Sequence, residues 1–276
     1  MKHSYLTAGA VSLMALFVLP GLAQIQSEDA PEFFFTRLVY SNGRGPAQVP
    51  ELDFRCKDLA PGEGGTRMGG GWGTDFPASD CKFMWGVQRM SNTRVYDKTP
   101  HLVTAMDADL FKYPYLYIVS PHRMNLSPEE AENLREYLLR GGFLHIDDYW
   151  GIDQRLIVES EMLKIFPEGK IDRLDTRHAV FHTFFDIDSI VQIPNINNGR
   201  AVNRGLAGAR TWEQQSETDP MIFGISNDKG HLMVLMTYNS DLGDAWEWMD
   251  DPEYPQLFTG HAYRMGLNFI LYAMTH

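Results

Sequence analysis

The stretch that most constrains this chain is a strand, a helix and a second strand between residues 113 and 151, all clearly punctuated. Residues 113–120 are aromatic and β-branched with Pro114 near the start, which predicts a strand. Ser127 reads as a helix N-cap, Pro128 takes the first helical position, and Glu130 completes a capping box. Ala131, Leu134, Tyr137 and Leu138 form one apolar stripe, and Gly141 ends the helix. Residues 143–147 then return to the sheet. Strand, helix and strand in this order predict a right-handed crossover and parallel pairing. The fold class is therefore α/β with a mostly parallel central sheet, in which ligands gather at the carboxyl ends of strands. Here that end carries Asp147 and Asp148 and opens into the next helix.

Other elements follow from the same rules. Residues 33–40 predict a first strand, and Ser79 or Asp80 caps a helix running to about Ser91, with Phe83, Val87 and Met90 on one face. A helix over 153–166 stops at Pro167, and 171–174 and 187–193 predict two further strands. Residues 221–226 and 232–238 flank Asn227-Asp228-Lys229-Gly230, a hairpin signal, and 260–274 predict a closing amphipathic helix. Residues 42–73 form a Gly- and Pro-rich loop, densest in glycine between Gly62 and Gly73. Such a loop serves as a lid, a partner-facing surface or a flexible insertion. It is no Walker phosphate cradle, since no Gly-Lys-Ser/Thr follows.

Residues 1–23 read as a secretory signal: Lys2 and His3, an apolar run over 8–19, and Pro20-Gly21-Leu22-Ala23 as the cleavage site. A retained N-terminal anchor is the alternative. Residues 24–32 read as a loose tail and 33–276 as a single α/β domain. No later segment is apolar enough to span a bilayer, so an exported, periplasmic protein without a transmembrane segment after cleavage is expected. The net charge of −12 repels phosphate backbones and argues against nucleic acid as a partner. Cys56 and Cys81 are the only cysteines, and either a disulfide or two buried thiols fits them.

Several constellations could carry chemistry. If the chain turns after Asp147, Asp147 and Asp148 reach one pocket, where they could hold a divalent cation or activate a water. Otherwise they serve as a helix cap and a backbone acceptor. Asn239, Asp241, Asp244 and Glu247 crowd one short segment like a hard-cation loop. The EF-hand pattern fails, because Gly243 falls one place early and no Glu occupies the twelfth position, and a capped helix start also explains the segment. His178 and His182 share a face on a helix or a strand, which makes them metal candidates beside Asp241 and Asp244. Ala179 stands where the metalloprotease motif needs Glu, and packed histidines are the alternative. His145 reads as a core histidine. Trp72 and Asp75, with Trp150, suit the face of a sugar or peptide, against plain turn chemistry around Pro77.

Taken in order, Trp72–Pro77, Gly141–Gly151, His178–His182, Asn239–Glu247 and Ala262–His276 resemble the bacterial domain of unknown function 4159 family. The resemblance covers nearly all of the mature chain. It implies a fold similar to class I glutamine amidotransferases, a flavodoxin-like α/β sandwich, and no particular activity. Those enzymes place a nucleophilic Cys on a strand-to-helix turn with a later His as base. The equivalent turn here holds Asp147 and Asp148, so glutaminase chemistry is not expected. Related family members carry membrane segments and further domains, whereas this chain is expected to be the exported domain alone. Two functions remain open: a non-catalytic envelope domain that binds a partner protein or a small polar ligand, and a carboxylate- or metal-dependent hydrolase acting on a sugar or peptide. Both rest on remote carboxylates meeting at one rim of the sheet.

Overall fold

The computed structural model describes residues 33–64, 68, 70–96 and 98–276. The expected leader over 1–23 and tail over 24–32 lie outside the described residues, as does part of the glycine-rich loop. Seven strands form one sheet: β1 (Thr36–Val39), β2 (His101–Thr104), β3 (Tyr115–Val119), β4 (Phe143–Tyr149), β5 (Asp172–Leu174), β6 (Met221–Ser226) and β7 (Leu232–Tyr238). Their spatial order is β2-β1-β3-β4-β7-β6-β5. Strands β2, β1, β3, β4 and β7 run parallel, and the β6–β7 hairpin and β5 add two antiparallel strands. The 2-1-3-4 start is the order of flavodoxin-like sheets.

Six α-helices among the described residues cover the two faces: α1 (Ala78–Met90), α2 (Pro128–Leu139), α3 (Gly151–Ile165), α4 (Ile196–Asn203), α5 (Leu242–Glu247) and α6 (Gln256–Thr275). Side-chain alternation along the strands decides which helices each face meets. Tyr115, Tyr117, Val119 and Phe143 pack with α1, α5 and α6, whereas Leu116, Ile118, Leu144 and Ile146 pack with α2 and α3. The result is an α/β sandwich.

The predicted crossover is present as β3–α2–β4, with Tyr115 in register with Phe143. The Ser127 side chain accepts from Glu130 N, and the Glu130 carboxylate accepts from Ser127 N, which closes the capping box. Cys56 and Cys81 form a disulfide that ties a short 3-10 turn to α1. Other expectations are corrected. Residues 187–193 form no strand, because their backbone donors go elsewhere: Ile187 N to Phe181 O, Val191 N to His261 Nε2, and Ile193 N to Ser240 Oγ. Helix α1 starts at Ala78 without a side-chain cap, since Ser79 and Asp80 both serve Arg37.

Arg37, fully buried on β1, uses all five of its N–H groups. Two go to Asp80, with Nε 3.1 Å from Oδ2, and one reaches Ser79 Oγ at 2.9 Å through the same nitrogen that meets Asp80 Oδ1. Nη1 donates to Trp72 O at 2.8 Å and Thr74 O at 2.6 Å. The guanidinium also lies over the rings of Phe76 and Tyr117. A single side chain thus folds the Trp72–Asp80 segment onto the carboxyl end of β1. Removing one member of a buried pair leaves an uncompensated charge and costs about 3–5 kcal/mol. Arg37→Met is therefore expected to lower the urea-denaturation free energy by roughly that amount, while an exposed Arg177→Met control changes it by less than about 0.5 kcal/mol.

Candidate functional site

The site begins with Asp147. Alternation along β4 turns Phe143, His145 and Asp147 toward α5 and α6, where His145 meets the rings of Trp246 and Phe269. His145 is held by Tyr115 Oη at 2.7 Å and Thr237 Oγ1 at 3.3 Å, and burial pushes its pKa down to about 3, so it stays neutral. Asp147 is fully buried and accepts four hydrogen bonds: from Thr237 Oγ1 (2.5 Å), Tyr117 Oη (2.9 Å), Leu242 N (2.9 Å) and Gly243 N (3.0 Å). The last two are orphan donors of the first turn of α5, so the carboxylate caps that helix from another element. Burial raises its pKa to about 7, with Asp148 adding to the rise and the hydroxyl and amide donors opposing it. These bonds fill its acceptor capacity, which makes Asp147 the support of the site.

Asp148 departs from strand alternation. Its φ is +57°, the β4–β7 register shifts between Ile146 and Tyr149, and Tyr149 returns to the core on the α2–α3 side. The kink swings the Asp148 carboxylate over the sheet rim, where Ser120 Oγ (2.8 Å) and Trp150 Nε1 (2.9 Å) donate to it. Asp148 thus reaches the rim, whereas Asp147 takes the backbone-acceptor role that the sequence left as the alternative.

The corner between β7 and α5 supplies the remaining acids. Asn239, with φ +53°, fixes this corner: its Oδ1 accepts from Gly151 N, and its Nδ2 donates to Glu217 O and Asp219 O. Asp241 is the N-cap of α5 and accepts from Asp244 N at 2.8 Å. Asp244 accepts from Ile196 N at 2.6 Å, and Glu247 lies one turn further along the same helix. From the opposite side comes Asp75, with φ +60°, delivered by the segment that Arg37 holds. Residue 243 must be glycine for this approach, since a Cβ there would lie 2.6 Å from Asp75 Oδ2 and 2.9 Å from Tyr117 Oη.

Two carboxylate triads result, Asp75–Asp244–Glu247 and Asp148–Glu213–Asp241, and within each the ligating oxygens lie within 4.8 Å of one another. The first triad is buried throughout, and the second is partly open. Burial and neighbouring acids push several pKa values up. Asp75 rises through burial, then Asp244 and Glu247; Asp241 through burial, then Asp244 and Asp148; Asp244 through burial, then Glu247. Glu213 rises to about 7 through burial and Asp148. Carboxylates so close and so dry must share protons or a cation. An all-oxygen donor set of this charge suits a hard divalent ion such as Ca²⁺, Mg²⁺ or Mn²⁺.

Of the residues singled out from sequence, Asp75, Asp148, Asp241, Asp244 and Glu247 meet here, and Trp150 orients Asp148. Asp147 and Asn239 build the frame and have no open ligand role. Trp72 stands beside the site, its carbonyl on Arg37 and its ring in a neighbouring crevice. His178 and His182 are not part of either triad. A 3-10 turn, Ala179–Phe181, separates them, so they share no face. His178 packs on Tyr272, whose hydroxyl accepts from Leu232 N at the amino end of β7, the far end of the sheet. His182 bonds Asp186 and Thr176 O. Sequence reasoning missed Glu213, which sits in an irregular loop without periodicity, and Ser120 and Arg37, whose roles are tertiary.

Residues 63–274 match the family model described as Domain of unknown function (DUF4159). The chain belongs to this family. No curated protein matches it. The DUF4159 match contains all six residues of the two triads, whereas β1 and Arg37 precede it.

The raised carboxylates give a pH dependence of definite sign. Folded Asp75, Glu213, Asp241 and Asp244 keep protons that the unfolded chain has already lost above the ordinary carboxylate value, so stability falls as pH rises toward their folded pKa values. Buried His145 and His261, pushed down to about 3 and about 4, act in the opposite sense but only below their ordinary value of 6.5. In chelator-treated protein the unfolding free energy is therefore expected to fall between pH 6.5 and about 8, by up to about 1.4 kcal/mol per pH unit for each group that must ionise. Denaturant titration across this range checks it. Asp241→Asn with Asp244→Asn should flatten the slope, and a wild-type stability that rises through this window would contradict the assignment.

Proposed function

We propose that this chain is a ligand-binding domain of the bacterial envelope whose acidic cluster takes a divalent cation. The observation that carries the reading is the pair of buried or half-buried triads drawn from four remote segments, with carboxylates too close to ionise together unless a cation compensates them. Ca²⁺, Mg²⁺ or Mn²⁺ would be held by Asp148, Glu213 and Asp241 on the open side and by Asp75, Asp244 and Glu247 on the closed side. Two of these acids, Asp241 and Asp244, already accept backbone N–H groups, which favours a fixed binding site over a mobile one.

The sheet order supports a fold similar to class I glutamine amidotransferases. Their chemistry is not proposed, because both cysteines are spent in the Cys56–Cys81 disulfide. Export is supported by the leader-like residues 1–23 and by that disulfide, which persists in oxidising compartments. Among the described residues no helix is long and apolar enough to cross a membrane.

A second reading, metal-assisted hydrolysis of a sugar or peptide, draws on Asp148. This half-buried carboxylate takes a left-handed backbone conformation, the kind of outlier that gathers at functional sites. Within the triads the oxygens approach more closely than the roughly 5–9.5 Å between the paired acids of glycosidases. Water activation by a bound ion would therefore be the hydrolytic route.

The test is a thermal-shift titration of the chelator-treated protein with Ca²⁺, Mg²⁺ and Mn²⁺ near pH 8. At a hundredfold excess over Kd, binding contributes about 2.7 kcal/mol, or a rise in Tm of roughly 5–10 °C. Asp241→Asn with Asp244→Asn should abolish the shift. Absence of any shift with all three ions would overturn the reading.

A further inference from the structure

Beside the acidic cluster, and distinct from it, lies a crevice of about 590 Å³, within the usual range for small-molecule sites. It opens between the chain leaving β1 and the chain leaving β3, two strands that neighbour each other in the sheet although β2 falls between them in sequence. This is the topological switch point of a 2-1-3-4 sheet, where successive connections leave in opposite directions and a cleft forms outside the strand ends.

Its lining reverses the charge of the molecule. The chain as a whole carries −12, yet among the described residues this crevice is walled by Arg44 and Arg123 and by no Asp or Glu. Asn42 and Gln48 add amide groups, and half-buried Trp72 contributes a ring. Gly70 makes room for Arg123, since a Cβ there would lie 2.7 Å from its Nη1. Tyr40 forms the floor: its hydroxyl is spent on Val119 O and Ser120 O, which fixes the ring. Arginine forks bind carboxylate and phosphate oxygens in two-point fashion, amides suit hydroxyls, and an indole suits the apolar face of a sugar ring.

We propose that this crevice binds an acidic sugar, one bearing a carboxylate or a phosphate, with the anionic group on Arg123 and Arg44 and the ring against Trp72. The inference does not depend on cation binding by the triads, and its test is run without divalent ions.

Calorimetric titration of the chelator-treated protein with glucuronate, glucose 6-phosphate and glucose separates the sources of the anion. At least one charged sugar is expected to bind saturably and tenfold or more tightly than glucose. Glucuronate as the tighter ligand assigns a carboxylate, and glucose 6-phosphate a phosphate. Arg123→Gln should weaken that binding tenfold or more, Arg123→Lys should restore part of it, and exposed Arg44→Gln should weaken it without loss of folding. The proposal is overturned if neither charged sugar binds saturably, if charged and neutral sugars bind alike, or if Arg123→Gln and Arg44→Gln both bind as the wild type does.

Discussion

One carboxylate holds the site together. Asp147 accepts from a tyrosine on β3, a threonine on β7 and two backbone amides of α5, so a single buried side chain joins three neighbouring strands to the helix that follows them. Hydrogen bonds to a charged group are the strong ones, and in a dry setting the loss of such a hub exposes every partner to the cost of an unmade bond. Because Asp147 fixes the start of α5, it also fixes Asp241, Asp244 and Glu247, which ride on that helix and its cap. Arg37 plays the complementary part across the sheet by folding the segment that carries Asp75.

The backbone bears the marks of this convergence. Asp75, Ser120, Asp148 and Asn239 are the non-glycine residues with positive φ among the described residues, and each sits at this rim. Conformations of this kind cost about 1–3 kcal/mol apiece and persist only where the surroundings over-determine them. Here the surroundings do so: Asn239 crosslinks three loop segments, and Ser120 and Trp150 pin Asp148. The protein therefore accepts backbone strain and a concentration of carboxylates in one place, with Arg37 offsetting part of the charge at Asp75.

Local chemistry made some of this legible in the sequence. The Ser127–Glu130 capping box and Gly141 marked the helix between two parallel strands, and from that crossover the rim carrying Asp147 and Asp148 followed. The Asn239–Glu247 acids announced themselves by density. What they would do was less legible, because Asn239 and Asp147 became framework for reasons of three-dimensional contact. Residues 187–193 had strand-like composition, yet their amides found partners in loops and side chains. Glu213 lies in a segment with no period to read, and His178 and His182 had a suggestive spacing that a 3-10 turn undid. The part played by Arg37 could not be seen from β1 alone, since its four partner residues lie 35 to 43 residues away.

On the proposed reading, the clustered carboxylates are neutralised by protons when no cation is present and by the cation when it binds. Proton exchange on binding tests this directly, since metal ligands must be deprotonated and the protons they lose appear in solution. Calorimetric titration of Ca²⁺ or Mn²⁺ near pH 7, repeated in buffers of different ionisation enthalpy, measures that exchange. Release of about one proton or more per ion bound is expected. Binding with no proton released would mean that these carboxylates are already fully ionised before the ion arrives, which contradicts the proposed site.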